Sequence, residues 1–275
     1  MQHHGGPAGV AMLENTIKLD ERNSWWKSLA LPFLILLIWQ VSVMAVSTGT
    51  IFPTPTGVLN GFGELILSGE LPKSILESVG RICGGFSIAF TLAVCSALLV
   101  GLWHPAEYLL DPLIETFRPI APIAWIPLAI LWFGTGTYAA IFIVSYAVFF
   151  PVFLNTLSGI RAVDKGLVNA ARTLGASPLL IIKDVIIPSA LPSIILGARL
   201  GMGVGWAAII AAEMTVGSKS GGGASGGIGQ MMFIFLTYSL ELRYIIVGMI
   251  TVGVIALLID ILFRRLEKIL LPWTD

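Results

Sequence analysis

The sequence predicts an all-α membrane protein with six transmembrane helices, both termini cytoplasmic, and a cytoplasmic helical loop between the fourth and fifth spans. Three observations predict it. Of the 275 residues, 56% are hydrophobic and 12% charged. A soluble domain carries about 25% charged residues, so this chain has too little polar surface to face water all round. Six apolar segments reach or approach the about 20 residues that a helix needs to cross a hydrocarbon core about 30 Å thick. Basic residues gather in alternate connections, which orients the spans.

The segments are Ser28 to Ser47, Ile82 to Trp103, Pro112 to Phe133, Tyr138 to Leu157, Leu191 to Ala212 and Tyr244 to Phe263. The first, second and fourth hold no charge. The third holds Glu115 and Arg118, the fifth Arg199 and the sixth Asp260. Lys18, Arg22 and Lys27 precede the first span. Arg161, Lys165, Arg172 and Lys183 separate the fourth from the fifth, and Arg264, Arg265 and Lys268 follow the sixth. The opposite connections carry only Lys73, Arg81, Lys219 and Arg243. The expected organisation is a partly disordered cytoplasmic tail over 1–27, one transmembrane domain over 28–263 with its cytoplasmic loop at 158–190, and a cytoplasmic tail over 264–275.

Composition excludes several functions. Lys plus Arg equal Asp plus Glu at 16 each, so bulk charge offers no handle for nucleic acid. Cys83 and Cys95 lie twelve residues apart in one apolar run, and a helix holds them about 18 Å from each other, too far for a disulfide. His3, His4 and His104 form no ligand cluster, and no metal site is expected. A polar segment precedes the first apolar run without a small-residue cleavage site, so that run reads as a retained anchor.

Between the first two spans, IFPTPTG is followed by a stretch whose apolar positions suggest a short interfacial helix. Gly217 to Gln230 reads GSKSGGGASGGIGQ, a flexible hinge or lid, or a backbone cradle for an anion. The third span places Pro119, Pro122 and Pro127 within one crossing. Each proline removes a backbone donor, so this helix must kink or start late, as the wall of a cavity or as a packed, bent helix. On the fifth span Gly197, Gly201 and Gly205 recur every fourth residue, which lets another backbone approach closely. Arg199 either snorkels toward the nearer surface or faces a pathway. Arg118, Trp125, Arg199 and Trp206 are candidates to line such a pathway; packing or an interfacial belt is the alternative for the tryptophans.

The segment NAARTLGASPLLIIKDVIIPSALP, Asn169 to Pro192, breaks the apolar pattern. Leu167, Ala170, Ala171 and Leu174 have the spacing of an amphipathic helix. Gly175 supplies a left-handed position to end it. Ser177 caps a second helix beginning at Pro178, striped by Leu179, Ile182 and Ile186 and expected to stop at Pro188. Two short helices at an angle, with Ala170 and Ala171 forming a small-residue face, make a docking element.

This segment resembles the cytoplasmic loop of type I ABC importer permeases, of the methionine- and maltose-permease-like fold. Their pattern is E-A-A, three residues, G, nine residues, I, one residue, L-P. Here Asn169-Ala170-Ala171, Gly175, Val185 and Ile187-Pro188 stand at the same spacings. FPTPT, DPLIETFRPIAPIAWIPLAILWFG and ARLGMGVGWAAIIAAEM are similar to the branch serving alkanesulfonate, taurine and nitrate or bicarbonate uptake, and the resemblance runs from about Leu31 to Pro272. Asn169 replaces the family's usual glutamate, keeping its hydrogen-bonding reach without the charge. The Gly-rich stretch at Gly217 is longer than the family's turn.

The resemblance implies a permease that pairs with a second copy of itself in a bacterial inner membrane. Two ATPase subunits would grip a coupling surface comprising Asn169, Ala170, Ala171, Arg172, Gly175 and Pro188, and a periplasmic or lipid-anchored binding protein would deliver the solute. ATP and Mg²⁺ would bind the partner subunit, since this sequence contains no G-x-x-x-x-G-K-[ST] loop, and no cofactor is expected in the chain itself. The rival readings are an ion-gradient-driven transporter, which would favour internal repeats and buried midplane carboxylates, and a membrane enzyme, which would need convergent catalytic side chains.

Overall fold

The computed structural model describes residues 30–45, 52–216 and 226–271. Helix α1 spans Ala30–Ala45. Between the first two expected spans lies a short helix, α2, Pro55–Leu67: Pro55 occupies its first turn, and the Thr54 hydroxyl accepts from Gly57 N at 3.1 Å. Helix α3, Glu70–Leu102, begins twelve residues before the expected second span. Lys73, Glu77 and Arg81 look extramembranous in sequence, yet their four-residue spacing lets the helix run through them, with Glu77 and Arg81 paired at 3.5 Å.

The third expected span is broken. Helix α4, His104–Phe117, and the segment Pro122–Phe133 meet at a 90° bend. A 3₁₀ turn over Pro122–Trp125 leads into α5, Ile126–Phe133. Pro119 and Pro122 lack the N–H groups that would carry α4 forward, so the chain turns instead of kinking.

Helix α6, Thr137–Arg161, is the centre of the fold. On α3 a stripe of small residues, Gly85, Ala89, Ala93, Ala97 and Gly101, recurs every fourth position. Its end members approach α6 so closely that a Cβ on Gly85 would lie 2.7 Å from Val144 and one on Gly101 2.8 Å from Ile160. The Ser145 hydroxyl of α6 donates to Gly85 O at 3.0 Å across the same contact. Small residues exchange side-chain volume for backbone proximity, the economical solution where lipid is as apolar as the interior.

After α7, Lys165–Thr173, the chain forms one helix, α8, over Pro178–Val216. Pro188 therefore does not end a short second helix, as the sequence suggested. A π turn over Ile182–Ile186, in which Ile187 N donates to Ile182 O, changes the hydrogen-bond register just before the proline and lets the helix pass. Helix α9, Ile228–Ser239, ends in a second π turn, and α10 runs over Leu242–Leu270. Among the described residues four helices (α3, α6, α8 and α10) are long and apolar enough to cross a membrane, or five spans if the bent α4–α5 pair counts as one. Helix α10 continues past Phe263 into residues read as tail. Cys83 and Cys95 are free and exposed, and His104 lies on the surface 3.8 Å from Glu107. The described residues contain no group of side chains able to hold a metal. The first 27 residues and most of the Gly-rich stretch lie outside the described residues.

Candidate functional site

The loop between α6 and α8 is built by local rules. Asp164 caps α7, its Oδ1 accepting from Gly166 N at 2.7 Å. At the other end Gly175 N donates to Arg172 O at 3.0 Å and Ala176 N to Ala171 O at 3.1 Å. This pair of bonds is the Schellman termination, and it needs the left-handed backbone that Gly175 adopts, with φ +80°. Ser177 opens α8 by accepting from Leu180 N at 3.3 Å, with Pro178 in the first turn.

Helix α7 turns two faces in different directions. Val168 and Ala171 pack toward the core. Asn169, Ala170 and Arg172 are exposed, as are Leu167 at 53%, Leu174 at 88% and Leu179 at 79%. These leucines and Leu180, standing open on one small loop beside a basic side chain, form a surface suited to an apolar partner.

Gly197, Gly201 and Gly205 face α6. A Cβ on Gly197 would lie 2.8 Å from Asn155 Cβ, one on Gly201 3.0 Å from Val152 and one on Gly205 2.6 Å from Val148. The same backbone approach continues at Gly159, where a Cβ would lie 2.5 Å from Ser193.

The four pathway candidates do not converge. Arg118 is exposed at the end of α4. Trp125 packs among Phe117, Trp132, Phe142 and Tyr146, with ring centroids 5.2 to 6.4 Å away. Phe142 and Tyr146 in turn line an apolar cavity of about 410 Å³ between α3, α5 and α6. Arg199 donates to Asp260 Oδ1 at 2.7 Å, and Arg264 holds the other oxygen at 2.9 Å. Trp206 is buried, its indole N–H donating to Val252 O at 3.1 Å. Arg199 and Trp206 border one small cavity of about 90 Å³ between α8 and α10.

Residues 89–274 match the family described as the binding-protein-dependent transport system inner membrane component. The chain belongs to this family. It is 37% identical to the putative aliphatic sulfonates transport permease protein of Bacillus subtilis, over 93% of this chain and 90% of the relative. It is 34% identical to the bicarbonate transport system permease protein of Synechococcus elongatus, over 85% and 84%. The MetNI methionine ABC transporter in an inward-facing conformation shares the fold, with TM-score 0.63 at 17% identity, covering 73% of this chain and 95% of that one. The protein is thus a membrane-spanning ABC importer permease, a transport subunit and not an enzyme, and its family implies ATPase and substrate-binding partners.

One feature of the permease escapes sequence reading. Glu213, near the end of α8, is 2% exposed and Arg81 of α3 is 7% exposed; they pair at 2.9 Å. The Ser78 hydroxyl lies 2.9 and 2.8 Å from the two carboxylate oxygens. Gly229 N, at the start of α9, donates to Glu213 Oε2 at 3.0 Å, and Ile228 N donates to Ser78 Oγ at 2.9 Å. Arg81 Nε also reaches Thr137 Oγ1 at 3.4 Å. A signal existed: a glutamate closing the apolar run AAIIAAE, and Ser78 and Arg81 three apart on one helix face.

Proposed function

We propose that this permease imports a small anion, with an aliphatic sulfonate as the first candidate class and bicarbonate or nitrate behind it. The support is the breadth of the match to permeases named for aliphatic sulfonates and for bicarbonate. In this reading two copies of the chain form the transmembrane pathway in a bacterial cytoplasmic membrane, each with six crossings and cytoplasmic termini. The bent α4–α5 pair serves as the third crossing, and α1 serves as the first.

The observation that carries the coupling role is the open face of the α6–α8 loop. Leu167, Leu174 and Leu179 stand uncovered around a left-handed Gly175. An ATPase subunit binding ATP and Mg²⁺ grips the exposed Asn169, Ala170 and Arg172, with Ala171 packed inward rather than sharing an open small-residue face with Ala170, and its closure pushes α8 from Pro178 onward. Pro188 and its preceding π turn keep α8 continuous, so the push is transmitted instead of absorbed. Gly197, Gly201 and Gly205 lock α8 to α6, and the two helices move as one body. The pathway candidates divide: Trp125 stands beside the aromatic cavity, whereas Arg199 and Trp206 are engaged by α10. Trp125, with Arg118 on the same bent segment, remains the stronger candidate for the pathway.

The test is uptake into proteoliposomes containing the permease, its ATPase and its binding protein. Labelled pentanesulfonate and bicarbonate are compared with and without ATP. ATP-dependent uptake of either supports the reading. Uptake that follows an ion gradient without the ATPase would replace it with a secondary transporter.

A further inference from the structure

We propose that Ser78, Arg81 and Glu213 form a latch that holds the first turn of α9 against α3 and α8, and that this latch opens and closes with the transport cycle. The proposal rests on the permease reading above. Three observations carry it.

First, the junction is ionic: Arg81 pairs with Glu213 at 2.9 Å and with Glu77, one turn earlier on α3, at 3.5 Å. A buried ion pair is often no more stable than an apolar replacement of the same volume, whereas losing one partner strands the other charge. Ionisable side chains within apolar spans mark working sites by default. Arg81 and Glu213 are both buried, and the carboxylate is held by a guanidinium, a hydroxyl and a backbone amide.

Second, the junction and the seating of α9 are one event. Ile228 and Gly229 present the first N–H groups of α9, and one binds Ser78 while the other binds Glu213. The chain enters too tightly for side chains. A Cβ on Gly227 would lie 2.0 Å from Glu213 Oε1 and 2.2 Å from Ser78 Oγ, and one on Gly229 would lie 2.5 Å from Ile210 O.

Third, the far end of α9 is a joint. It finishes in a π turn over Phe235–Ser239, and Leu240 follows with φ +52°, the only non-glycine residue in the left-handed region among the described residues. A short helix with a polar plug at one end and an irregular joint at the other moves as a unit once the plug releases. The lever is at hand. Helix α8 is continuous from Pro178, beside the coupling loop, to Glu213, a run of about 50 Å at 1.5 Å per residue.

The test uses the assembled complex with its ATPase and binding protein, reading ATP hydrolysis so that no solute need be known. In a chain with Cys83→Ser and Cys95→Ser, Ser78→Cys, a near-isosteric change at a position sealed beneath the first turn of α9, is exposed to a small water-soluble maleimide at rest and while the complex hydrolyses ATP. Labelling is expected to rise at least about tenfold during turnover; labelling that stays at the resting rate in a complex hydrolysing ATP at the parental rate overturns the latch. Independently, Arg81→Gln with Glu213→Gln keeps polar reach without charge. The double variant is expected to assemble in parental yield but lose stimulation of hydrolysis by the binding protein. Parental stimulation overturns the proposal, and so does failure to assemble, which would mark the junction as scaffold. A parent complex that recruits no ATPase would instead refute the permease reading and leave the latch aside.

Discussion

The two ends of α8 obey opposite rules. At the Pro178 end the chain leaves Leu167, Leu174, Leu179 and Leu180 exposed around a glycine in the left-handed region and a serine cap, and it buries little. At the Val216 end it buries Glu213 together with Arg81 and Ser78 of α3. Apolar groups left open are unfinished contacts that a partner completes. Charged groups shut inside are contacts the chain completes with itself, at a desolvation cost that only full hydrogen bonding offsets. The comparison teaches where each kind of contact lies: the open end leaves contacts unmade, as the proposed ATPase docking requires, and the closed end completes its contacts with other helices of the same chain.

The largest expected break is at the closed end. Glu213→Ala removes the carboxylate that pairs with Arg81 at 2.9 Å and takes the acceptor from Ser78 and Gly229 N, a loss of about 3–5 kcal/mol for a buried pair with one partner removed. Thermal denaturation of the detergent-solubilised permease measures it. An unchanged midpoint would mean that the junction is hydrated and the contrast between the two ends false.

Between the ends, the glycine contact sharpens the comparison. Gly205→Leu drives a side chain into Val148, whose Cγ2 would lie 2.6 Å from the new Cβ, and overpacking of this kind costs about 1–3 kcal/mol. Gly203, two residues away, has open space around it, with nothing within 4 Å of where a Cβ would stand, so Gly203→Leu is expected to change assembly little. Equal loss of folded complex from both variants would show that α6 and α8 do not meet on this face.

At the open end the effect on stability is smaller and the effect on function larger. Gly175→Val forces a β-branched residue toward φ +80°, a cost of about 1 kcal/mol or more. Assembly is expected to persist while solute moved per ATP hydrolysed falls. Gly175→Asn, which tolerates the left-handed region, is expected to retain most coupling. The smallest effect belongs to Arg199→Gln. Asp260 keeps Arg264 at 2.9 Å, and an exposed ion pair contributes little to stability, so the denaturation midpoint should move least of all the variants.

What can be read in the sequence follows the same division. Gly175, Ser177 and Pro178 are legible because caps and terminations are local, set by a few residues and their own backbone. Gly197, Gly201 and Gly205 are legible as a contact because close approach is written in glycine spacing, although the partner helix is not. The matching stripe on α3 is hidden because three of its five members are alanines, ordinary in any apolar helix. Pro188 misleads because proline's local cost is real and a π turn, set by neighbouring packing, absorbs it. Arg81 and Glu213 are illegible as a pair: they stand 132 residues apart, and each alone looks like a charge marking the end of a span.

The coupling surface is the central claim, and a photo-crosslinking amino acid at single positions tests it most directly. Placed at 174 or 167 in the assembled complex, it is expected to join the permease to the ATPase subunit, with a yield that changes when ATP is bound. Placed at 76, an exposed leucine on α3, it should give no such product. Equal ATPase adducts from 76 and 174, or none from 174 in a complex that still hydrolyses ATP, would contradict the assignment of this loop as the site where the ATPase grips the permease.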